Sequence, residues 1–131
     1  MNENLLIHRG IVNKQYKENL LKSFKQSFKQ GYGIETDIHA TKDHEFICFH
    51  DFTLNRIFKK KVSVKNIKYS QIKKISAQNK NPIPLLKDLI KNAGGSITTW
   101  KGKNPTIGGS IVASSNSELH KKILKMIKSV A

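Results

Sequence analysis

Apolar and polar positions divide the chain into short strands and amphipathic helices. Leu5-Leu6-Ile7-His8-Arg9-Gly10 is an apolar run closed by a glycine, which predicts a buried strand. Leu20, Leu21, Phe24 and Phe28 then recur at helical spacing while Lys22, Lys25, Gln26 and Lys29 take the other face, so a helix is expected over residues 18–30. Gly31 and Gly33 are placed to stop it. The alternation from Ile34 to Ala40 predicts a second strand. A polar break at Thr41-Lys42-Asp43-His44 leads to a third, from Glu45 to His50. Strand, helix and strand in this order imply a right-handed parallel crossover, and the early chain reads as α/β.

Residues 51–82 are short in pattern, basic and interrupted, with Lys59-Lys60-Lys61 expected as a solvated loop. Ser70 is placed to cap a short helix carrying Ile72 and Ile75, and Pro84 stands near the start of a helix containing Leu85, Leu86, Leu89 and Ile90. Residues 92–116 are rich in Gly, Ser and Thr, with Gly94-Gly95 and Gly108-Gly109 pairs. Ser115-Asn116-Ser117-Glu118 fits a capping box, followed by an apolar stripe of Leu119, Ile123, Met126, Ile127 and Val130. Such a basic amphipathic helix either packs on a core or meets a membrane or partner surface.

The chain has 131 residues, 37% hydrophobic and 25% charged, which bounds it to one globular domain. No apolar run reaches the ~20 residues that a membrane span needs, and the N-terminus lacks a secretory pattern, so a cytoplasmic location is expected. Cys48 is the only cysteine, which excludes an intrachain disulfide and a thiolate zinc cluster. The net charge of +15 allows weak association with anionic surfaces. Only Arg9 and Arg56 are arginines, however, and the lysines are spread along the whole chain, so no specific nucleic-acid partner is expected.

Candidate chemistry lies at the strand ends. Glu35 and Asp37 are two apart, so they share one face of a strand. They read either as oxygen ligands of a hard divalent cation, Mg²⁺ or Ca²⁺, or as surface acids on a half-exposed strand. His8 and His50 each close an apolar strand, where loops of parallel α/β folds build the cleft, and imidazole exchanges protons near neutral pH. Singly, each reads as a structural histidine; together, beside the paired carboxylates, they read as an acid–base pair. His39 stands near the site without a first role, His44 and His120 read as ordinary, and Cys48 as a small core residue.

Several motifs then fall in one order: His8-Arg9-Gly10, Glu18-Asn19, Ile34-Glu35-Thr36-Asp37, Thr41-Lys42-Asp43, His50-Asp51 with Leu54 and Arg56, and Ile83-Pro84-x-Leu86. This set resembles the glycerophosphodiester phosphodiesterase family over residues 5–89. The resemblance implies a TIM-barrel type α/β fold, with residues 51–82 as a small insertion after the third strand. It implies that His8 and His50 are the acid–base pair, Arg9 a phosphate contact, and Glu35 and Asp37 ligands of a divalent metal ion. Arg9 can face the same side as His8 only if the strand ends there, because free alternation would turn it away. The implied reaction hydrolyses a glycerophosphodiester to glycerol 3-phosphate and an alcohol such as choline or ethanolamine.

Two features depart from the family pattern. His44 stands where glycine is usual after Lys-Asp. The family's fourth strand brings a further metal-binding glutamate and a lysine, and the nearest run here, Ser96 to Lys101, has no glutamate. A complete barrel of this type takes ~250 residues. Residues 1–91 are therefore expected to be the N-terminal part of such a barrel, truncated to its first strands, and residues 92–131 a divergent Gly/Ser-rich segment with a terminal amphipathic helix. A non-catalytic remnant that keeps phosphate and metal binding is the alternative to an enzyme. An incomplete barrel would also self-associate through its uncovered edge.

Overall fold

The computed structural model describes residues 5–105 and 110–130. The Gly108-Gly109 pair and residues 1–4 lie outside them, as does the side chain of Val130.

Strand β1 (Leu6–His8) pairs in parallel with β2 (Gly33–Glu35), with Ile7 opposite Ile34 and His8 opposite Glu35. Helix α1 (Leu21–Lys29) connects them, so the expected parallel unit is present. The prediction that β1 is buried is incorrect: Leu6 is 69% and Leu5 51% exposed. Among the described residues β2 is the only strand that pairs with β1, so the other edge of β1 is open.

The run predicted as one strand from Ile34 to Ala40 is two. It breaks after Glu35, where Thr36 Oγ1 donates to Asn19 Oδ1 (2.7 Å), and resumes as β3 (Ile38–Ala40). Ile34 packs in the core, whereas Ile38 is exposed, so the two isoleucines do not share a buried face. The third predicted strand, β4 (Phe46–Cys48), runs antiparallel to β3 as a hairpin. The link between them is far too short for a parallel crossover. His44 makes the turn at φ +60°, the left-handed conformation that explains glycine as the usual residue there.

Residues 51–82 supply much of the core rather than a mere excursion from it. Helix α2 (Asn55–Phe58), a 3-10 turn at Val64–Asn66 and helix α3 (Tyr69–Gln78) bury Phe58, Val64 and Ile72 against Ile47, Phe49 and Leu54. Lys59, Lys60 and Lys61 stay exposed as expected. Ser70 does not cap α3. Asp43 does, its Oδ1 accepting the Tyr69 N–H at 2.9 Å. Burial pushes the Asp43 carboxyl up, but hydrogen bonds from Thr41 and Tyr69 outweigh it and hold the group below its ordinary range.

Helix α4 (Leu86–Asn92) follows Pro84 and packs Leu86 and Leu89 on Phe24 and Cys48. Burial pushes the Cys48 thiol up to about 12, which fits the small core residue expected from sequence. The chain ends in a separate hairpin, β5 (Ser96–Thr99) antiparallel to β6 (Ile111–Ser114), and helix α5 (Ser117–Val130). Asn116, not Ser115, caps α5, accepting the Leu119 N–H at 2.9 Å. Of the apolar stripe, Ile123 and Ile127 are half-buried while Leu119 and Met126 are exposed. His120 is buried, with Thr98 Oγ1 2.8 Å from Nε2 and Ser114 Oγ 2.9 Å from Nδ1, so it locks α5 to the hairpin. No helix among the described residues is long and apolar enough to cross a membrane.

Candidate active site

The site is built on the turn that ends β1. The Arg9 N–H still donates to the Glu35 carbonyl (2.9 Å), but Arg9 itself adopts φ +57° and Gly10 φ +75°. Two consecutive left-handed residues reverse the chain at once. Gly10 is required twice over: a Cβ there would lie 2.8 Å from Ser23 Oγ and 2.9 Å from Phe24 Cδ1. The small buried Ser23 and Ser27 make this approach possible, and Ser27 Oγ accepts the Ile11 N–H at 3.0 Å. The strand therefore does end at Arg9, as its implied role requires.

The reversal brings the arginine back among the acids. Arg9 Nη1 lies 3.4 Å from both Glu18 carboxylate oxygens, and Nε lies 3.7 Å from Asp37 Oδ2. These distances exceed the ~2.7–2.9 Å of a strong charge-assisted hydrogen bond, so the guanidinium keeps donor capacity for another anion. His8 Nε2 stands 3.8 Å from Glu35 Oε2, with the imidazole largely exposed. Thus each histidine or arginine of the first strand end faces one carboxylate of the second.

His50 is held differently. Its Nδ1 is 2.6 Å from Asp51 Oδ1, and Arg56 grips Asp51 through Nε–H to Oδ2 (2.7 Å) and Nη2–H to Oδ1 (3.1 Å). The Arg56 hydrogen bonds, against some burial, keep the Asp51 carboxyl below its ordinary range. An ionised carboxylate only accepts, so His50 carries its proton on Nδ1 and presents Nε2 for exchange. His39 donates from Nε2 to the His50 carbonyl (3.0 Å) and packs edge-on against Phe52, which supports the loop without touching the reacting atoms.

Glu18 joins the two halves, since it also accepts from Arg56 Nη2. Burial pushes its carboxyl up, and the two arginines outweigh that and leave it lowered. A continuous chain Arg9–Glu18–Arg56–Asp51–His50 results. Glu18, Asp51 and Arg56 carry no assigned role in the sequence reading, although all three fall within its motifs. Alternation could not find them, because they lie on loops and a helix that only the fold brings together.

The fit of a divalent cation can be judged from the acids. Asp37 Oδ2 is buried without a hydrogen-bond partner among the described residues, as is Arg9 Nε. Glu35 is exposed at the adjoining strand end. Both carboxylates supply the oxygen donors that a hard cation prefers. No group of three or more metal-donor side chains converges among the described residues.

The profile of the glycerophosphoryl diester phosphodiesterase family matches residues 8–130, so the match runs through the C-terminal hairpin and α5, past the motifs of residues 5–89. A glycerophosphodiester phosphodiesterase of Caldanaerobacter subterraneus is 35% identical over 74 residues, covering 56% of this chain and 30% of that protein. The crystal structure of the Thermotoga maritima glycerophosphodiester phosphodiesterase superposes with a TM-score of 0.60 at 29% identity, over 70% of this chain and 39% of that one. An Oleispira antarctica phosphodiesterase, solved with the product sn-glycerol-3-phosphate, gives 0.56 at 25% identity, over 67% of this chain and 38% of that one. The chain thus spans well under half the length of each of these three relatives. Fold and likeness together define an α/β protein of TIM-barrel type. It belongs to the glycerophosphoryl diester phosphodiesterase family.

Proposed function

We propose that this chain carries the histidine, arginine and carboxylate part of a site that hydrolyses glycerophosphodiesters to glycerol 3-phosphate and an alcohol. The observation that carries the reading is the left-handed turn at Arg9, which turns a guanidinium with spare donors toward Glu18 and Asp37 and links it through Glu18, Arg56 and Asp51 to His50. The bound product of the Oleispira protein supports glycerol 3-phosphate as the retained half of the substrate.

In this reading Arg9 donates to a non-bridging phosphoryl oxygen, where charge develops in the transition state. His50, held by Asp51 as the Nδ1–H tautomer, exchanges a proton through Nε2. His8, exposed at the end of β1, serves the opposite side of the phosphorus. One imidazole removes the proton of the attacking water or glycerol hydroxyl and the other protonates the departing alcohol; where the hydroxyl attacks, water then opens the cyclic phosphodiester to glycerol 3-phosphate. Glu35 and Asp37 would hold the Mg²⁺ or Ca²⁺ ion, which when bound supplies positive charge to the phosphoryl group.

A second reading keeps phosphate and metal binding without turnover. It is favoured by the lack, among the described residues, of a third metal donor beside Glu35 and Asp37. A coupled assay for glycerol 3-phosphate release from glycerophosphodiesters with saturating divalent ion separates the two. Slow turnover by the wild type, lost in His8→Ala and in His50→Ala, supports the hydrolase. Binding of inorganic phosphate with no release supports the binding module. Equal release by wild type and both variants rejects the histidine assignment.

A further inference from the structure

Beside the site lies an open cleft of about 530 Å³, between the loop before α1, the end of α2 and the turn after α3. It shares Glu18 and Arg56 with the chain of ion pairs that links Arg9 to His50. Its cationic lining is Lys17, Arg56, Lys59 and Lys80, against the single carboxylate of Glu18. That carboxylate is already shared by two arginines, so little of its charge offsets the lysines.

Two of these lysines hold unusual backbone conformations. Lys59 closes α2 at φ +56° and Lys80 follows α3 at φ +54°. Glycine or asparagine adopts this region with less strain, and the chain uses Asn19 for it elsewhere (φ +54°). Both lysines fall on the wall of the same cleft. Lys59 Nζ donates once, to the Arg56 carbonyl (3.2 Å), and an ammonium has two further donors. Among the described residues Lys17, Lys59 and Lys80 enter no ion pair with a protein carboxylate.

We infer that this cleft is an anion-binding subsite that receives a negatively charged head group, a phosphate or carboxylate, on the leaving alcohol of the substrate. This deepens the proposed reaction and rests on it for the word substrate; the anion site itself does not. A quaternary or primary ammonium, as on choline or ethanolamine, would meet four like charges. The aromatic residue of the lining, Phe58, is buried in the core and offers no open face to such a cation. A phosphate or carboxylate meets several donors at once.

Amide chemical-shift mapping of the full chain with inorganic phosphate tests the site, since it reads each region separately. The expected result is perturbation at Lys59, Lys80 and Asn81 as well as at Gly10. The double variant Lys59→Asn/Lys80→Asn keeps residues that tolerate the left-handed backbone, and its amide spectrum reports whether it is folded. In that variant the cleft response should weaken by roughly tenfold or more, as expected for lost charge-assisted hydrogen bonds, while the Gly10 response persists. Lys17→Gln, in the loop before α1, provides an independent second variant with the same expected direction. Perturbation at Gly10 alone, or a cleft response unchanged in both variants, overturns the subsite. Perturbation of the cleft but not of Gly10 leaves the subsite standing and counts against the proposed reaction site. Stronger cleft shifts with glycerophosphocholine than with glycerophosphoserine would overturn the head-group preference.

Discussion

Arg9 Nε stands 3.7 Å from Asp37 Oδ2, and both atoms are buried without a hydrogen-bond partner among the described residues. The pair is close enough to attract and too far apart to satisfy either group. An anion for the guanidinium and a cation for the carboxylate would complete both, which is the chemistry of a metal-assisted phosphate site.

Metal binding should accordingly be weak. Two carboxylates leave a hard cation mostly hydrated, and the neighbouring guanidinium opposes it. Titration calorimetry with Mg²⁺ and Ca²⁺ should show heats for the wild type that disappear in Asp37→Ala. Identical heats in both proteins would remove Asp37 from the ligand set.

Asp51→Asn should release the His50 tautomer. The amide can present either an acceptor or a donor to Nδ1, so the fixed preference for Nδ1–H is lost. Nitrogen-15 shifts of the His50 ring should change from one tautomer to a mixture. Where turnover is measurable, it should fall by roughly 10²–10⁴, the usual contribution of a general acid or base. Unchanged ring shifts would show that the 2.6 Å contact does not orient the imidazole.

The 51–82 region should behave as core. Leu54 is fully buried, and Leu54→Ala should lower stability by about 2–5 kcal/mol in chemical denaturation. Lys60→Ala, in the exposed basic run, should stay within about 0.5 kcal/mol of the wild type. Equal small effects would mean that this region is only loosely attached.

Self-association should run through β1. Leu5 and Leu6 are exposed beside a strand edge that is unpaired among the described residues, so a second copy can cover them. Light scattering should show concentration-dependent growth for the wild type and less for Leu6→Glu. A monodisperse wild type with a sharp, high-temperature melt would exclude this surface as a contact.

Acid should destabilise the fold. The carboxyls of Glu18, Asp43 and Asp51 all lie below their ordinary values of 4.5, 3.8 and 3.8. A lowered folded-state value adds stability that is fully present above the ordinary value and is lost as pH falls towards the lowered one. Thermal melts should therefore be flat with respect to these groups at neutral pH and fall below about pH 4.5. Arg56→Gln should shrink this acid slope, because Arg56 contacts both Glu18 and Asp51.

Much of the early fold was legible in the sequence because it rests on local periodicity. The β1–α1–β2 unit follows from one apolar run, one helical stripe and a second apolar strand, and β1 and β2 pair in parallel as expected. The hairpin of β3 and β4 was less legible. Alternation from Ile34 to Ala40 predicted one strand, but alternation holds only while a strand is unbroken, and the chain breaks after Glu35, where Thr36 bonds Asn19. The cap of α3 was missed for a related reason. Ser70 satisfied the local pattern, while Asp43, far away in sequence, reaches the Tyr69 N–H in space.

By itself the sequence named the candidate residues: His8, His50, Glu35 and Asp37 from strand ends and strand-face spacing, and Arg9 from the family resemblance. It also set the condition for Arg9, that the strand must stop beside it. Only the tertiary structure decided that the condition is met, since a left-handed turn at Arg9 depends on Gly10 fitting against Ser23 and Phe24 of another element. The fold likewise decided that Glu18 and Arg56 connect the two histidine loops, and that Lys59 and Lys80 share one cleft. Periodicity records which face a residue takes on its own element. Contact between residues far apart in sequence exists only after the chain has packed, because it depends on distances that no local pattern encodes.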